Sequence, residues 1–307
     1  MMAKRDFLSV TDLGIEDARR VIELGESLKS ERKVLNLFEG KPFALIFEKP
    51  SLRTRTTFEI AIHELGGYPI YLAPGDIKLG KREAVKDVAK NLERWVHGIV
   101  ARVFAHETVE GLAANARVPV INALSDLEHP CQVLGDYMTI YEKAGTLKVS
   151  LVFIGDGNNV AHSLMLLTAM FGGEFTIACP EGYEPKKLVV ERAMEIAEQT
   201  GAEIRIMHDP VEAVKDADFI YTDVWASMGQ EAEAEVRRKV FRPFQVNSEL
   251  IDHAPKHAFV MHCLPARRGE EITDDVIDSE RSIVLDQAEN RLHSEKALLV
   301  VLYGLKI

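Results

Sequence analysis

The segment Ser51-Leu52-Arg53-Thr54-Arg55 places two hydroxyls and two guanidinium groups within five residues, directly after the turn Glu48-Lys49-Pro50. It opens a stretch of helical periodicity, so these groups converge with free backbone N–H groups on one helix N-terminus. Cations at that end oppose the helix dipole unless an anion is bound between them, and a phosphate reverses the sign. As an ordinary cap, Ser51 would only start the helix and leave the arginines solvated. The density of the S-x-R-T-R pattern favours phosphate.

Three further segments carry chemistry. Arg102 and His106 follow an apolar run that begins near Ile99, although a lone arginine at a strand end decides little by itself. In His129-Pro130-Cys131-Gln132, Pro130 suits the first helical position, which puts His129 at the cap and Gln132 in the first turn. An imidazole and an amide there can hold a carbonyl oxygen. In the second half, Asp223 and Ser227-Met228-Gly229 follow one apolar run, and His262-Cys263-Leu264-Pro265 follows another. Carboxylate, thiol and hydroxyl at successive strand ends fit an amine-binding site. Neighbouring residues leaving a strand point to opposite faces, so His262 is badly placed as a base for Cys263, and a binding thiol is the better reading.

Gly155-Asp156-Gly157-Asn158-Asn159-Val160 has the look of a dinucleotide turn, but Val160 stands where a third glycine belongs and no acidic strand end follows at the required distance. Asn158 and Asn159 are better read as contacts to a polar substrate.

The elements that must position these groups alternate along the whole chain. Strands are expected at 43–47, 68–72, 98–104, 118–124, 149–154, 175–178, 203–207, 218–222 and 258–261. Helices are expected at 53–65, 107–116, 130–144, 158–171 and 187–199, with Val85, Val88, Leu92 and Trp95 on one further helical face. A terminal helix over 297–305 should pack back on the body. This βαβ alternation predicts an α/β protein of two doubly wound parallel-sheet domains, joined near the helix at 130–145. Ligands of such sheets sit outside the carboxyl ends of the strands, where all the segments above fall.

Composition sets bounds. The chain has 307 residues, 47% hydrophobic and 28% charged, with 37 basic against 48 acidic side chains and a formal charge of −11. The length accommodates two domains, each with its own core. The acidic balance argues against a nonspecific nucleic-acid or anionic-membrane surface, while a local basic pocket remains compatible with it. Cys131, Cys179 and Cys263 are widely spaced with no CxxC pair, which supports neither a disulfide framework nor a zinc ribbon and suits a reducing cytoplasm. The first ten residues lack the apolar core of a leader, and no apolar run reaches the roughly 18 residues of a membrane span.

Taken together, S-x-R-T-R at 51–55, H-P-x-Q at 129–132, D-x-x-x-S-M-G at 223–229 and H-C-L-P at 262–265 closely resemble the ornithine carbamoyltransferases of the aspartate/ornithine carbamoyltransferase superfamily, over nearly the whole chain. The resemblance implies a carbamoyl-phosphate-binding domain over 1–135. It implies an ornithine-binding domain over 136–307, whose terminal helix, from about 290, returns toward the first. It further implies homotrimers or multiples of trimers with sites at subunit boundaries, no cofactor and no metal. Carried over residue by residue, Ser51, Leu52, Arg53, Thr54 and Arg55 would hold the phosphate. Arg102, His129 and Gln132 would hold the carbamoyl group, with Arg291 and the Cys263-Leu264 backbone completing that pocket. Asn159, Asp223, Ser227 and Met228 would bind ornithine, with Cys263 beside the reacting amine. Arg55, Arg102, His129, Asp223 and Cys263 would be catalytic. One position departs from the pattern: the loop 76–80 carries Lys78 where many relatives supply Gln or His to the adjacent subunit's substrate. A lysine can still meet phosphate as a point charge.

The expected reaction is transfer of the carbamoyl group from carbamoyl phosphate to the δ-amine of L-ornithine, giving L-citrulline and phosphate. Domain closure would protect the labile substrate, with 229–240 as a mobile lid. Alternatives are carbamoylation of putrescine or an acylated ornithine, a nucleotide-dependent oxidoreductase built on 155–160, and a noncatalytic regulatory subunit. Whether citrulline is made or consumed, and any assembly beyond the trimer, do not follow from the residues.

Overall fold

In the computed structural model, residues 4–31, 34–226 and 233–306 are described. The chain divides into two compact units, Met1–Met138 with Glu289–Ile307, and Thr139–Ala288. Each contains one parallel sheet.

The first unit holds β1 (Pro42–Phe47), β2 (Tyr68–Leu72), β3 (Gly98–Arg102) and β4 (Val120–Leu124) in the spatial order β2-β1-β3-β4, all pairs parallel. Strands β3 and β4 are buried along their whole length and β1 is buried after Pro42, as short unbroken apolar runs require when helices cover both faces. Strand β2 is an edge, half exposed, and tolerates Pro69 for that reason. The other edge is closed by Phe7, which bonds to Val120 and Asn122 of β4 through its backbone.

The second unit holds β5 (Ser150–Ile154), β6 (Glu174–Ala178), β7 (Glu203–Met207), β8 (Phe219–Thr222) and β9 (Phe259–His262) in the order β7-β6-β5-β8-β9, again all parallel. Its core joins Val152, Ile154, Ile220 and Val260 to the helix Ser248–Asp252 and the residues around Ile272. The helix Asn159–Met170 is buried from Val160 to Met170, with apolar residues on every face and His162, Ser163 and Thr168 enclosed among them, so it carries little amphipathic signal.

The strand orders locate the sites. Neighbouring strands whose connections leave in opposite directions open a crevice at their carboxyl ends. In the first unit these are β1 and β3, which are followed by the 51–55 segment and by Arg102 with the helix His106–Asn115. In the second they are β5 and β8, followed by the 155–159 turn and by Asp223.

The two-sheet α/β architecture expected from the sequence is present, with local corrections. Trp95 lies outside the helix Val85–Leu92 and is 67% exposed; the chain turns after Leu92, and Val96 takes the buried position. The terminal helix is Val284–Leu302, longer and earlier than expected. Its first half is rich in polar residues that conceal the pattern, and Gly304 at φ +60° ends it. The helix Gly14–Glu31 was not foreseen at all, although Val21, Ile22, Gly25 and Leu28 mark its buried face. Within the expected 229–240 lid, residues 233–240 are described; most form the helix Ala234–Phe241. No helix among the described residues is long and apolar enough to cross a membrane.

Candidate active site

In the first unit, the helix Arg53–Glu64 starts with the Ser51 hydroxyl accepting a hydrogen bond from Thr54 N at 3.2 Å. Thr54 is buried, and its hydroxyl lies 3.4 Å from Arg102 Nη1 and 3.4 Å from Arg291 Nη2. Arg102 closes β3 where the β3–β4 register shifts, with Ala123 of β4 as the extra residue. Arg291 comes from the terminal helix. Its Nη1 donates to Gln132 Oε1 at 2.5 Å, and Gln132 is oriented in turn by donating to Asp136 Oδ1 at 2.7 Å. The terminal helix can approach this closely because Gly135 has no side chain: a Cβ there would lie 3.0 Å from Arg291 Cδ and 3.3 Å from its backbone.

His129 immediately precedes Pro130, the first residue of the helix Pro130–Ala144, as the sequence predicts. Burial, and then the charges of Arg291, Arg102, Arg53 and Lys49, hold its pKa well below the usual imidazole range. At neutral pH it is therefore an uncharged ring among cations, able to donate one hydrogen bond without adding charge. Thr54, Arg102, His129, Gln132 and Arg291 are thus one buried, electropositive group.

The remaining expected residues of this unit lie around that group. Arg55 is partly exposed, paired with Glu59 at 2.8 Å and stacked 3.6 Å over the Tyr71 ring. Leu52 is 76% exposed. Lys78 has left-handed backbone (φ 49°, ψ 61°) and its side chain is exposed. It lines a groove of about 610 Å³ with Phe47, Glu48, Leu72, Lys81 and Phe104, at the carboxyl ends of β1 and β2. His106 bonds Ser125 Oγ through Nδ1 at 2.8 Å, a local tie away from the arginines.

In the second unit, Asp223 leaves β8 at the crevice. Its Oδ1 accepts from Cys263 Sγ at 3.1 Å and its Oδ2 from Asn158 Nδ2 at 2.9 Å. Asn158 caps the helix Asn159–Met170, its Oδ1 accepting from Val160 N and Ala161 N, which turns its amide toward Asp223. Gly157 makes this turn close-fitting, since a Cβ there would meet Pro185 N at 2.2 Å. Asn158, the residue before Asn159, thus steers Asp223 from the helix cap.

His262 is fully buried. Its Nδ1 accepts from Leu264 N at 2.8 Å and its Nε2 donates to Glu271 Oε1 at 3.0 Å. It shapes the Cys263-Leu264 turn and is not a base for the thiol. Asp223, His262 and Cys263 bring their donor atoms within 4.8 Å of one another, but both imidazole nitrogens are already engaged.

Ser227 and Met228 lie outside the described residues. On either side of that segment, Arg237 donates to Asp156 Oδ2 and to Trp225 O, each at 2.9 Å, and its guanidinium lies 5.0 Å from the Tyr183 ring. These contacts tie the helix Ala234–Phe241 to the end of β5. Burial raises the Asp156 carboxyl above its ordinary range even with Arg237 beside it.

Three contacts gave no sequence signal: Asn158 to Asp223, Asp136 to Gln132, and Glu295, a buried residue of the terminal helix, to Arg291. Arg237 stood in the expected lid, but its buried role was not legible there.

A buried electropositive group at one switch point and an acid–thiol pair at another, each on its own parallel sheet, define a two-sheet α/β protein with candidate ligand sites at strand ends. The carbamoyl-P binding domain model of the aspartate/ornithine carbamoyltransferases matches residues 5–142, and their Asp/Orn binding domain model matches residues 147–302. The ornithine carbamoyltransferase of Pyrococcus horikoshii is 55% identical over 304 residues, covering 98% of this chain and 96% of that one. The anabolic ornithine carbamoyltransferase of Pyrococcus furiosus is 54% identical over 307 residues, covering 99% and 98%. A solved ornithine carbamoyltransferase from Pyrococcus furiosus superposes with a TM-score of 0.95, covering 99% of each chain. The enzyme from Thermus thermophilus superposes with a TM-score of 0.87 at 45% identity, covering 98% of this chain and 99% of that one. The chain belongs to the aspartate/ornithine carbamoyltransferase family.

Proposed function

We propose that this chain transfers the carbamoyl group of carbamoyl phosphate to the δ-amine of L-ornithine, releasing L-citrulline and phosphate, in the direction of arginine synthesis. The observation that carries the choice of second substrate is Asp223 with Cys263 and Asn158. A carboxylate held at the crevice attracts an ammonium-bearing amino acid and repels the second carboxylate of aspartate. The names of the relatives support the same substrate, and the anabolic Pyrococcus furiosus enzyme supports the direction.

In this reading Ser51, Arg53, Thr54 and Arg55 hold the phosphate. Arg102 and His129 donate to the carbonyl oxygen, and Gln132, Arg291 and the Cys263-Leu264 backbone complete the pocket. Asn159, Asp223, Ser227 and Met228 bind ornithine, the last two on the resemblance alone. A side-chain amine with a pKa of about 10.4 arrives protonated and must lose that proton to solvent before it attacks. As the new C–N bond forms, negative charge builds on the carbonyl oxygen; it collapses as the C–O bond to phosphate breaks, and the substituted nitrogen gives its surplus proton to the departing phosphate. Fixed cations and a neutral donor stabilise that charge without a covalent nucleophile. For Arg55 to join, its guanidinium must turn from Glu59.

The chain works, in this reading, as a cytoplasmic homotrimer or multiple of trimers, with exposed Lys78 offered to a neighbouring subunit's phosphate. Cys131, Cys179 and Cys263, which form no disulfide with one another, suit that compartment. A panel of ornithine, N-acetylornithine, putrescine and aspartate, each with carbamoyl phosphate, tests the reading. Ornithine is expected to dominate; preferred turnover of any other amine would reassign the second substrate.

A further inference from the structure

Glu295 lies one helical turn beyond Arg291, and both side chains are 1% exposed. Glu295 Oε1 accepts from Arg291 Nη2 at 2.5 Å, while the other terminal nitrogen goes to Gln132. The guanidinium is thereby held in a fork that sets its plane against Thr54 and, through the shared hydroxyl, against Arg102. Glu295 Oε2 is buried and has no hydrogen-bond partner among the described residues. An ionised carboxyl with one bare oxygen in a dry site is costly, and here it also cancels a cation that an anionic ligand requires.

The surroundings place the group between its two charge states. Burial pushes the carboxyl up to about 7, against the pull of Arg291 and the Thr57 hydroxyl. From the helix Pro130–Ala144, Cys131 faces it with a thiol that burial keeps protonated, and Asp136 acts on the same Arg291. From the helix Arg53–Glu64 the facing group is Thr57. His129, also near Arg291, is neutral. A dianion arriving at the cradle adds negative charge beside Arg291 and raises the proton affinity of the carboxyl further.

We propose that Glu295 is a positioning residue of the anion cradle: it aligns Arg291 in the empty site and takes a proton from solvent as a dianion binds, freeing the full charge of Arg291 for the ligand. The identity of that dianion as carbamoyl phosphate rests on the function proposed above. The uptake itself does not. By linkage, anion affinity must fall as pH rises through the titration of this carboxyl, because binding then has to return the proton first.

Sulfate is a suitable probe, being a dianion throughout pH 6–8. Calorimetric titration of the intact protein with sulfate, in two buffers of different ionisation enthalpy, counts the protons taken up. The wild type is expected to take up a fraction of a proton near pH 7 and to lose about fivefold in affinity from pH 6 to pH 8. Glu295→Gln keeps an oxygen for Arg291; it should take up none and lose that part of the pH dependence. Thr57→Val, which removes the one polar group of that helix that holds the carboxyl down, should move the inflection to higher pH. No proton uptake by the wild type, or equal uptake by wild type and Glu295→Gln, would overturn the proposal. A merely structural role would lower affinity without altering the proton count. A protein that shows the uptake yet makes no citrulline would leave this inference standing and remove only the function.

Discussion

The Cys263 thiol donates to one oxygen of Asp223 across 3.1 Å, and Asn158 donates to the other across 2.9 Å. The carboxylate is therefore fixed from two strand ends, β5 and β9, that flank its own. Its direction is set before any amine arrives, and preorganisation of this kind removes ordering cost from the binding step.

Asp223→Asn should weaken ornithine use without weakening the anion site. The amide turns an acceptor into a donor facing Asn158 and lowers the attraction for an ammonium. We expect kcat/KM for ornithine to fall about 10²–10³-fold, with sulfate affinity unchanged. Steady-state kinetics beside calorimetry checks both. Asn158→Ala, which leaves the carboxylate present but unsteered, should cost about tenfold, the scale of one hydrogen bond to a charged group.

Arg291→Lys should damage the cradle despite preserving charge. A guanidinium satisfies Gln132 and Glu295 from separate nitrogens, whereas an ammonium has a single point of attachment. The KM for carbamoyl phosphate is expected to rise about 10–100-fold with little change in the KM for ornithine. Equal KM shifts for both substrates would instead indicate general loss of structure.

His129 links stability to pH. Its folded pKa lies well below 6.5, so between these values the unfolded chain binds more protons than the folded one. Stability contributed by the neutral ring is present above pH 6.5 and is lost as pH falls below it. Urea midpoints should therefore drop between pH 7 and pH 5, and His129→Gln should flatten part of that drop. An identical slope in the variant would place the effect on other groups.

Gly135→Ala should cost about 1–3 kcal/mol, because the added methyl must push the terminal helix from its contact at Arg291. Chemical denaturation gives the loss directly. A KM for carbamoyl phosphate that rises in the folded variant would show that the same contact sets the aim of Arg291.

Much of this molecule is legible in the sequence for definite reasons. The strands read clearly because each is a short apolar run bounded by turn residues, and parallel sheets bury such runs on both faces. Ser51, Thr54, Arg102, His129, Gln132, Asp223 and Cys263 stand out in the sequence because each lies at or beyond the carboxyl end of a strand, and the structure groups Thr54, Arg102 and Gln132 around Arg291 and sets Cys263 on Asp223. What escaped is what depends on distant contact. The hold of Asn158 on Asp223 did not show, because it depends on a helix cap turning its amide toward a strand end 65 residues away. Glu295 reads as an ordinary surface glutamate, and only its burial against Arg291 gives it a role. The helix Val284–Leu302 hid its first half because its buried face is polar.

Labelled carbamoyl transfer tests the central claim most directly. The purified chain, given carbamoyl phosphate labelled with ¹³C at the carbonyl carbon together with unlabelled L-ornithine, is followed by NMR. The account predicts that label appears in the ureido carbon of citrulline as phosphate is released in equal amount, and that Arg102→Ala nearly abolishes both. Label appearing only in bicarbonate, or in an amine other than ornithine supplied alongside it, would contradict the account.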